Sequence, residues 1–149
     1  MRILGVIASR HRGWDASLPA SEQLGSEGDR ERVEALLSEL SRKFGSALLI
    51  VGLGADCGIN RFIRECCQEK GIPYAEVRIG FSQHVPSALR ELCLLARHEA
   101  VAALCGEVRI LLGRGRMGHI EDLIHVLRRQ HVPFMALDEE WNVVEDYHG

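Results

Sequence analysis

The residues of this 149-residue chain best suited to chemistry lie in one run: Gly113-Arg114-Gly115-Arg116-Met117-Gly118-His119-Ile120-Glu121-Asp122. Glycines let backbone amides approach an anion closely, and a helix start adds positive dipole at the same place. Arginine offers a planar fork of donors to phosphate. Two adjacent carboxylates, Glu121 and Asp122, follow where ribose hydroxyls or a glycosidic carbon can be reached. The chemistry this composition suits is the holding of a phosphate or ribose, with acids in position to act on it. A tight strand–helix turn with solvated arginines is the plainer alternative. Several glycines in one turn are hard to explain that way, because each costs backbone entropy.

Two other segments carry similar residue types. Ile7-Ala8-Ser9-Arg10 ends the first apolar run. The small Ala8 and Ser9 permit close ligand approach, and Arg10 can pair with phosphate. Gly52-Leu53-Gly54-Ala55-Asp56-Cys57-Gly58-Ile59-Asn60 follows the second apolar run. Gly52, Gly54 and Gly58 fit a loose dinucleotide pattern, with one residue too many before the last glycine. Glu76 then stands roughly where such a site has its downstream acid, which keeps a nicotinamide-dinucleotide reading open.

The elements that must position these segments alternate along the chain. Ile3 to Ala8 reads as a strand. Residues 30–44 read as a helix with Val33, Leu36, Leu37, Leu40 and Phe44 on one face, stopped by Gly45. Ala47 to Val51 is a continuous apolar run, as expected of a strand covered on both faces. Ile59, Phe62, Ile63, Cys66 and Cys67 mark a second helix, ended by Gly71 and Pro73. Tyr74 to Ile79 alternates as a third strand. Pro86 opens a long third helix running to about Leu104. Val108 to Leu112, residues 119–130 and Pro133 to Leu137 complete the series as strand, helix and strand. The tail, 138–149, is acidic and reads as a short edge element or a partner-binding arm.

This order predicts a single α/β domain over residues 1–149, with a mostly parallel sheet of five strands or slightly more and helices on both faces. Ligands bind such sheets beyond the carboxyl ends of the strands. Loops 9–29, 52–58, 80–85 and 113–118 meet at that edge. The first is the longest and most polar, and reads as a lid or a loose insert. In it Ser26 and Asp29 are candidate caps for the next helix.

Composition excludes several classes. The net charge is −3, so no global field points to nucleic acid or a membrane surface. No apolar run approaches the ~18 residues of a membrane span. Five cysteines without a CxxC pair, in a chain without secretory features, predict a reducing cytoplasm. They read as small buried apolar residues. The seven histidines show no HxxxH or HxH spacing, so neither metal nor cofactor is expected.

Taken in order, the three segments resemble the SLOG superfamily, which includes the Lonely Guy phosphoribohydrolases and the Rossmann domain of the DNA-processing proteins. The resemblance spans roughly residues 3–137. Ile7-Ala8-Ser9-Arg10 is similar to the family's Val-Gly-Ser-Arg. Leu53 to Asn60 is similar to its Ser-Gly-x-Ala-x-Gly-Ile-Asp, with Asp56 for Ala and Asn60 for the terminal Asp. Gly113-Arg114-Gly115 with Gly118-His119-Ile120-Glu121-Asp122 is similar to Pro-Gly-Gly-x-Gly-Thr-x-x-Glu. One residue is inserted there, and Gly113, Arg114, His119 and Asp122 replace Pro, Gly, Thr and Glu. Arg97 lies near the family's arginine.

The resemblance implies a single Rossmann-like three-layer domain with a nucleotide cleft. In the phosphoribohydrolase members the base–ribose bond of a nucleoside monophosphate is cleaved. By that resemblance Arg97 orients substrate, and Asp122, beside Glu121, stabilises an oxocarbenium charge or activates water. Gly115, Gly118 and His119 hold phosphate through backbone amides. Ser9, Arg10, Gly54, Ala55, Asp56, Gly58, Asn60, Gly113, Arg114 and Arg116 line the rest of the site. Other SLOG members bind nucleotide-derived ligands without cleaving them, and the departures at Arg114, His119 and Asp122 favour that outcome. The expected function is therefore binding of a phosphorylated nucleoside or nucleotide derivative, with phosphoribohydrolase or N-glycosidase activity as the alternative. Single-stranded DNA binding is a third reading. It is opposed by the negative charge and by the scarcity of aromatics to stack on bases, only two tryptophans and two tyrosines, although arginines 10, 12, 114 and 116 can form a local patch. Leu92, Leu94, Leu95 and Val101 put apolar residues on more than one side of the third helix, which predicts a homodimer or larger assembly.

Overall fold

The computed structural model describes residues 1–9, 27–54, 58–80, 82, 84–112, 119–138 and 140–149. It contains strands β1 (Arg2–Ala8), β2 (Leu48–Gly52), β3 (Tyr74–Glu76), β4 (Glu107–Leu111), β5 (Phe134–Leu137) and β6 (Val143–Tyr147). The helices are α1 (Glu27–Phe44), α2 (Gly58–Lys70), α3 (Ser87–Leu104) and α4 (His119–Arg129). The strands form one six-stranded sheet in the order β3-β2-β1-β4-β5-β6. All neighbours are parallel except β5 and β6, which pair antiparallel.

Each helix forms where apolar residues recur at helical spacing. On α2 the buried set is Ile59, Phe62, Ile63, Cys66 and Cys67, and on α4 it includes Ile120, Leu123, Ile124 and Leu127. Both stripes follow the i, i+3, i+4, i+7 rule and leave a polar opposite face. Residues alternate along β1 between two cores. Leu4, Val6 and Ala8 join α1 and α2, through Val33, Leu37, Ile59 and Ile63. Ile7 joins α3 and α4, through Val101, Ile120, Leu123 and Leu127. Arg30 braces α1 against α2 by pairing with Glu65 at 2.7 Å and Glu69 at 2.6 Å.

Several expected boundaries move. The third strand was expected to reach Ile79 but ends at Glu76, because its neighbour β2 ends at Gly52 and the last pair is Gly52 with Glu76. Helix α1 begins at Glu27, inside the segment expected to be loop. The acidic tail supplies a sixth strand, β6, which takes the open edge of β5. Its turn is closed by Asp138, whose Oδ1 accepts from the backbone N–H groups of Glu140 and Asn142 at 2.9 Å each.

Helix α3 differs from the others. Its buried residues are His98, Val101 and Ala102, all in the second half. In the first half Leu89 and Leu92 are exposed, and Leu95 is 38% exposed. Leu94 is half-buried. Of the apolar residues that suggested self-association, Val101 belongs to the core, while Leu92 and Leu95 lie on the surface.

Candidate functional site

The strand order creates a reversal between β1 and β4. From β1 the chain moves through β2 to β3 at one side, then crosses back to β4 at the other. Open parallel sheets form a crevice at such a point, beyond the carboxyl ends of the two strands. Here those ends are Ala8-Ser9 and Leu111-Leu112, joined by a 2.8 Å bond from the Ser9 N–H to the Leu111 carbonyl. Ser9 of the first segment singled out in the sequence lies at this point, and Leu112 is the residue that precedes the third.

Ser9 is 7% exposed, and its hydroxyl oxygen has no hydrogen-bond partner among the described residues. A buried hydroxyl without a partner costs roughly 1–3 kcal/mol by protein mutational data. It is satisfied at no such cost when a ligand or water supplies the bond.

Asn60 acts on the same strand end. β1 runs on beyond its paired stretch with β2, so the N–H and C=O of Ala8 lack a strand neighbour on that side. The Asn60 side chain takes that place. Its Oδ1 accepts from the Ala8 N–H at 2.9 Å, and its amide donates to the Ala8 carbonyl at 2.9 Å. An amide is the side chain that can do both at once. Asn60, expected to contact ligand, is therefore committed to holding the first turn of α2 against the floor of the crevice.

Gly54 has φ +70°, and a Cβ there would lie 2.6 Å from both Glu76 Oε2 and Arg78 Nε. The missing side chain leaves room for that ion pair, which is itself 2.6 Å long. The Glu76 carboxyl is held below its usual range. Burial opposes its ionisation, but hydrogen bonds from Arg78 and Tyr74 and the charges of Arg78 and Arg64 outweigh it. The acid that suggested a nicotinamide-dinucleotide ribose is thus already engaged by cations. Gly58, with φ +67°, opens α2 in the left-handed region that glycine tolerates.

On the other side of the reversal, α3 packs on α4 and brings several candidates together. His98 is 2% exposed, and neither ring nitrogen has a partner among the described residues. Its ring centroid lies 6.4 Å from that of His119, the first residue of α4. Burial pushes the His98 pKa down to about 4, and the charges of Arg97 and His119 act in the same direction while Asp122 opposes them. His98 is a neutral imidazole at physiological pH. Arg97 carries a buried Nε without a partner among the described residues, and burial holds its pKa below the ordinary value. Glu121 pairs with His125 at 3.6 Å along α4. The His119 ring and the charges of Arg97 and Asp122 thus all act on His98, a residue that no sequence motif marks. The available signal was a lone histidine in the buried half of a helix.

Arg10, Ala55, Asp56, Gly113, Arg114, Gly115, Arg116 and Gly118 lie outside the described residues, as do Ser26 and most of the 9–29 segment. A separate cavity of about 630 Å³ runs along α1 on the opposite side, lined by Arg32, Leu36, Lys43, Arg109, Met135 and Trp141. Glu34, Cys66 and Glu69 also converge, but Arg30 already pairs with both carboxylates, at 3.7 and 2.6 Å. Burial pushes the Cys66 thiol up to about 11, so it stays protonated. Cys66, Cys67, Cys93 and Cys105 are free thiols. No helix among the described residues is long and apolar enough to cross a membrane.

Fold and site together define an α/β protein with a mostly parallel six-stranded sheet and polar groups gathered at a strand-order reversal. Comparison of the chain with protein-family models, curated proteins and solved structures gives no match.

Proposed function

We propose that this chain binds a phosphorylated nucleoside or nucleotide derivative in the crevice between the ends of β1 and β4, within a three-layer, Rossmann-like arrangement of the SLOG type. The observation that carries the reading is the buried Ser9 hydroxyl at the strand-order reversal, which has no partner among the described residues. A ligand phosphate or ribose oxygen there satisfies it. Arg97 adds a cation whose charge is worth most in a partly dehydrated site. The motif residues Arg10, Gly113, Arg114, Gly115, Arg116 and Gly118 complete the reading from sequence.

Thermal melting with a panel of nucleoside mono- and diphosphates and nucleotide-derived ligands tests this. A ligand at a hundred times its Kd stabilises by about 2.7 kcal/mol, which raises Tm by roughly 5–10 °C in a domain of this size. Ser9→Leu fills the site and removes that shift. Failure of every nucleotide to raise Tm at millimolar concentration rejects the reading.

A second reading, cleavage of the base–ribose bond of a nucleoside monophosphate, is supported by Arg97 and Asp122 both lying close enough to His98 for their charges to act on it. Release of free base, lost in Asp122→Asn, distinguishes it from binding alone. Binding without base release retires it.

The exposed Leu89, Leu92 and Leu95 support a homodimer through α3. Sedimentation or light scattering is expected to report a dimer for the native chain and a monomer for Leu92→Glu. A native monomer at micromolar concentration refutes the assembly.

A further inference from the structure

Helices α3 and α4 bring three metal-ligating side chains together at their amino-terminal ends. The ligand atoms of Glu91, His119 and Asp122 all lie within 4.8 Å of one another. The sequence shows little of this, because Glu91 is remote and the local spacing is merely His119-x-x-Asp122. That i, i+3 spacing puts both residues on one side of α4. Seven residues separate Glu91 from His98 on α3, so those two share a face two turns apart. His119 neighbours both, with a ring nitrogen within 4.8 Å of a Glu91 carboxylate oxygen and its ring centroid 6.4 Å from that of His98.

We propose that Glu91, His119 and Asp122 bind a divalent cation of the zinc or manganese(II) type. One imidazole and two carboxylates are a donor set these ions accept. Bonds of about 2.1 Å in a tetrahedral site put ligand atoms about 3.4 Å apart. All three side chains are exposed, so small rotations close the remaining gap. Three protein ligands leave coordination positions open to water or to an oxygen of an anionic ligand.

Electrostatics decide whether such a site is tenable. The positive end of α4 and Arg97 both oppose a cation. Two carboxylates offset them, and the helix end is worth at most about half a charge.

The independent observation is His98. It is a buried imidazole, 2% exposed, with neither nitrogen partnered among the described residues, and its ring centroid lies 6.4 Å from that of His119. An unsatisfied imidazole is a poor core residue, and it gains a partner when a metal-bound water or a reoriented His119 ring comes within reach. The proposal stands apart from the nucleotide reading, since the cation needs no second ligand to bind.

The test is calorimetric titration of the metal-free full chain with zinc and with manganese(II), without nucleotide, alongside melting curves. One equivalent of one of these ions is expected to bind and to raise Tm. His119→Ala and Asp122→Asn are each expected to weaken binding by at least the roughly 10–100-fold that loss of an outer partner costs a metal site. Glu91→Gln should do the same. His125→Ala, at an exposed histidine outside the cluster, should leave affinity unchanged. Circular dichroism of the metal-free variants checks that they fold. The proposal is overturned if neither ion binds. It is also overturned if the His119→Ala/Asp122→Asn double variant binds as well as the native chain, or if His125→Ala removes the binding.

Discussion

Replacing Asn60 with leucine is expected to lower Tm by roughly 5–15 °C, a loss of about 2–4 kcal/mol for a domain of this size. The substitution leaves the N–H and C=O of Ala8, a residue 2% exposed, without the two bonds that Asn60 supplies. Each buried backbone group left unpaired costs more than an ordinary bond contributes, because the group has given up water and received nothing in exchange. Asn60→Ala is expected to cost less, since the vacated volume admits water.

Asn60→Asp separates the two bonds. One carboxylate oxygen still accepts from the Ala8 N–H, but the other now faces the Ala8 carbonyl, acceptor against acceptor. A protonated carboxyl can donate there, so folding raises the pKa of the introduced acid. A raised pKa in the folded state means that the folded form binds more protons, so stability falls as pH rises through that value. The Asn60→Asp chain should therefore recover stability on mild acidification relative to the native chain. Chemical denaturation across pH 4 to 7 reads this out (roughly the window above an unperturbed carboxyl pKa of ~4). An Asn60→Leu chain as stable as the native one would show that the clamp is dispensable.

The second large effect has the opposite sign. His98→Leu is expected to raise stability by about 1–2 kcal/mol, and Tm by roughly 2–8 °C. It exchanges a buried imidazole whose nitrogens have no partner among the described residues for an apolar side chain of similar size, beside Val101 and Ala102 in the buried half of α3. His98→Ala is expected to destabilise by leaving a cavity, so the pair separates polarity from volume. A residue whose replacement improves the fold is one that stability alone does not require. Ligand or metal affinity measured on the stabilised His98→Leu chain shows what its presence supports. A lower Tm for His98→Leu would mean that the imidazole is satisfied in the native protein.

Local pattern made the helices and five parallel strands legible, because burial imposes a period and each chain segment carries its own. β3 is shorter than its pattern, because alternation from Tyr74 to Ile79 describes a segment able to be a strand, whereas its length is set by where β2 stops offering bonds. The order β3-β2-β1-β4-β5-β6 depends on how segments far apart in sequence pack, and no local period encodes it. Similar limits apply to the site. Ser9 stands out by type and place, Arg97 only through the resemblance. Asn60 also stood out, but its task became visible only when β1 was seen to outrun β2. Glu91 and His98 carry no local motif, and they matter because α3 lies beside α4.

The position of β1 between β2 and β4 has a kinetic consequence. Residues 2–76 contain β1, β2 and β3 with α1 and α2, and supply most of one core, completed by Leu111 and Leu137. Residues 87–137 contain α3, β4, α4 and β5, and supply most of the other, completed by Ile7 and Val51. Contacts within each part close modest loops, whereas β1 meets β4 across about a hundred residues of chain, a slower event. Each part can acquire much of its structure before the two dock along the β1–β4 seam. The crevice is made from that seam and has no existence until docking is complete. Any molecule bound there favours the docked state, so ligand occupancy should slow the rate at which the two parts separate.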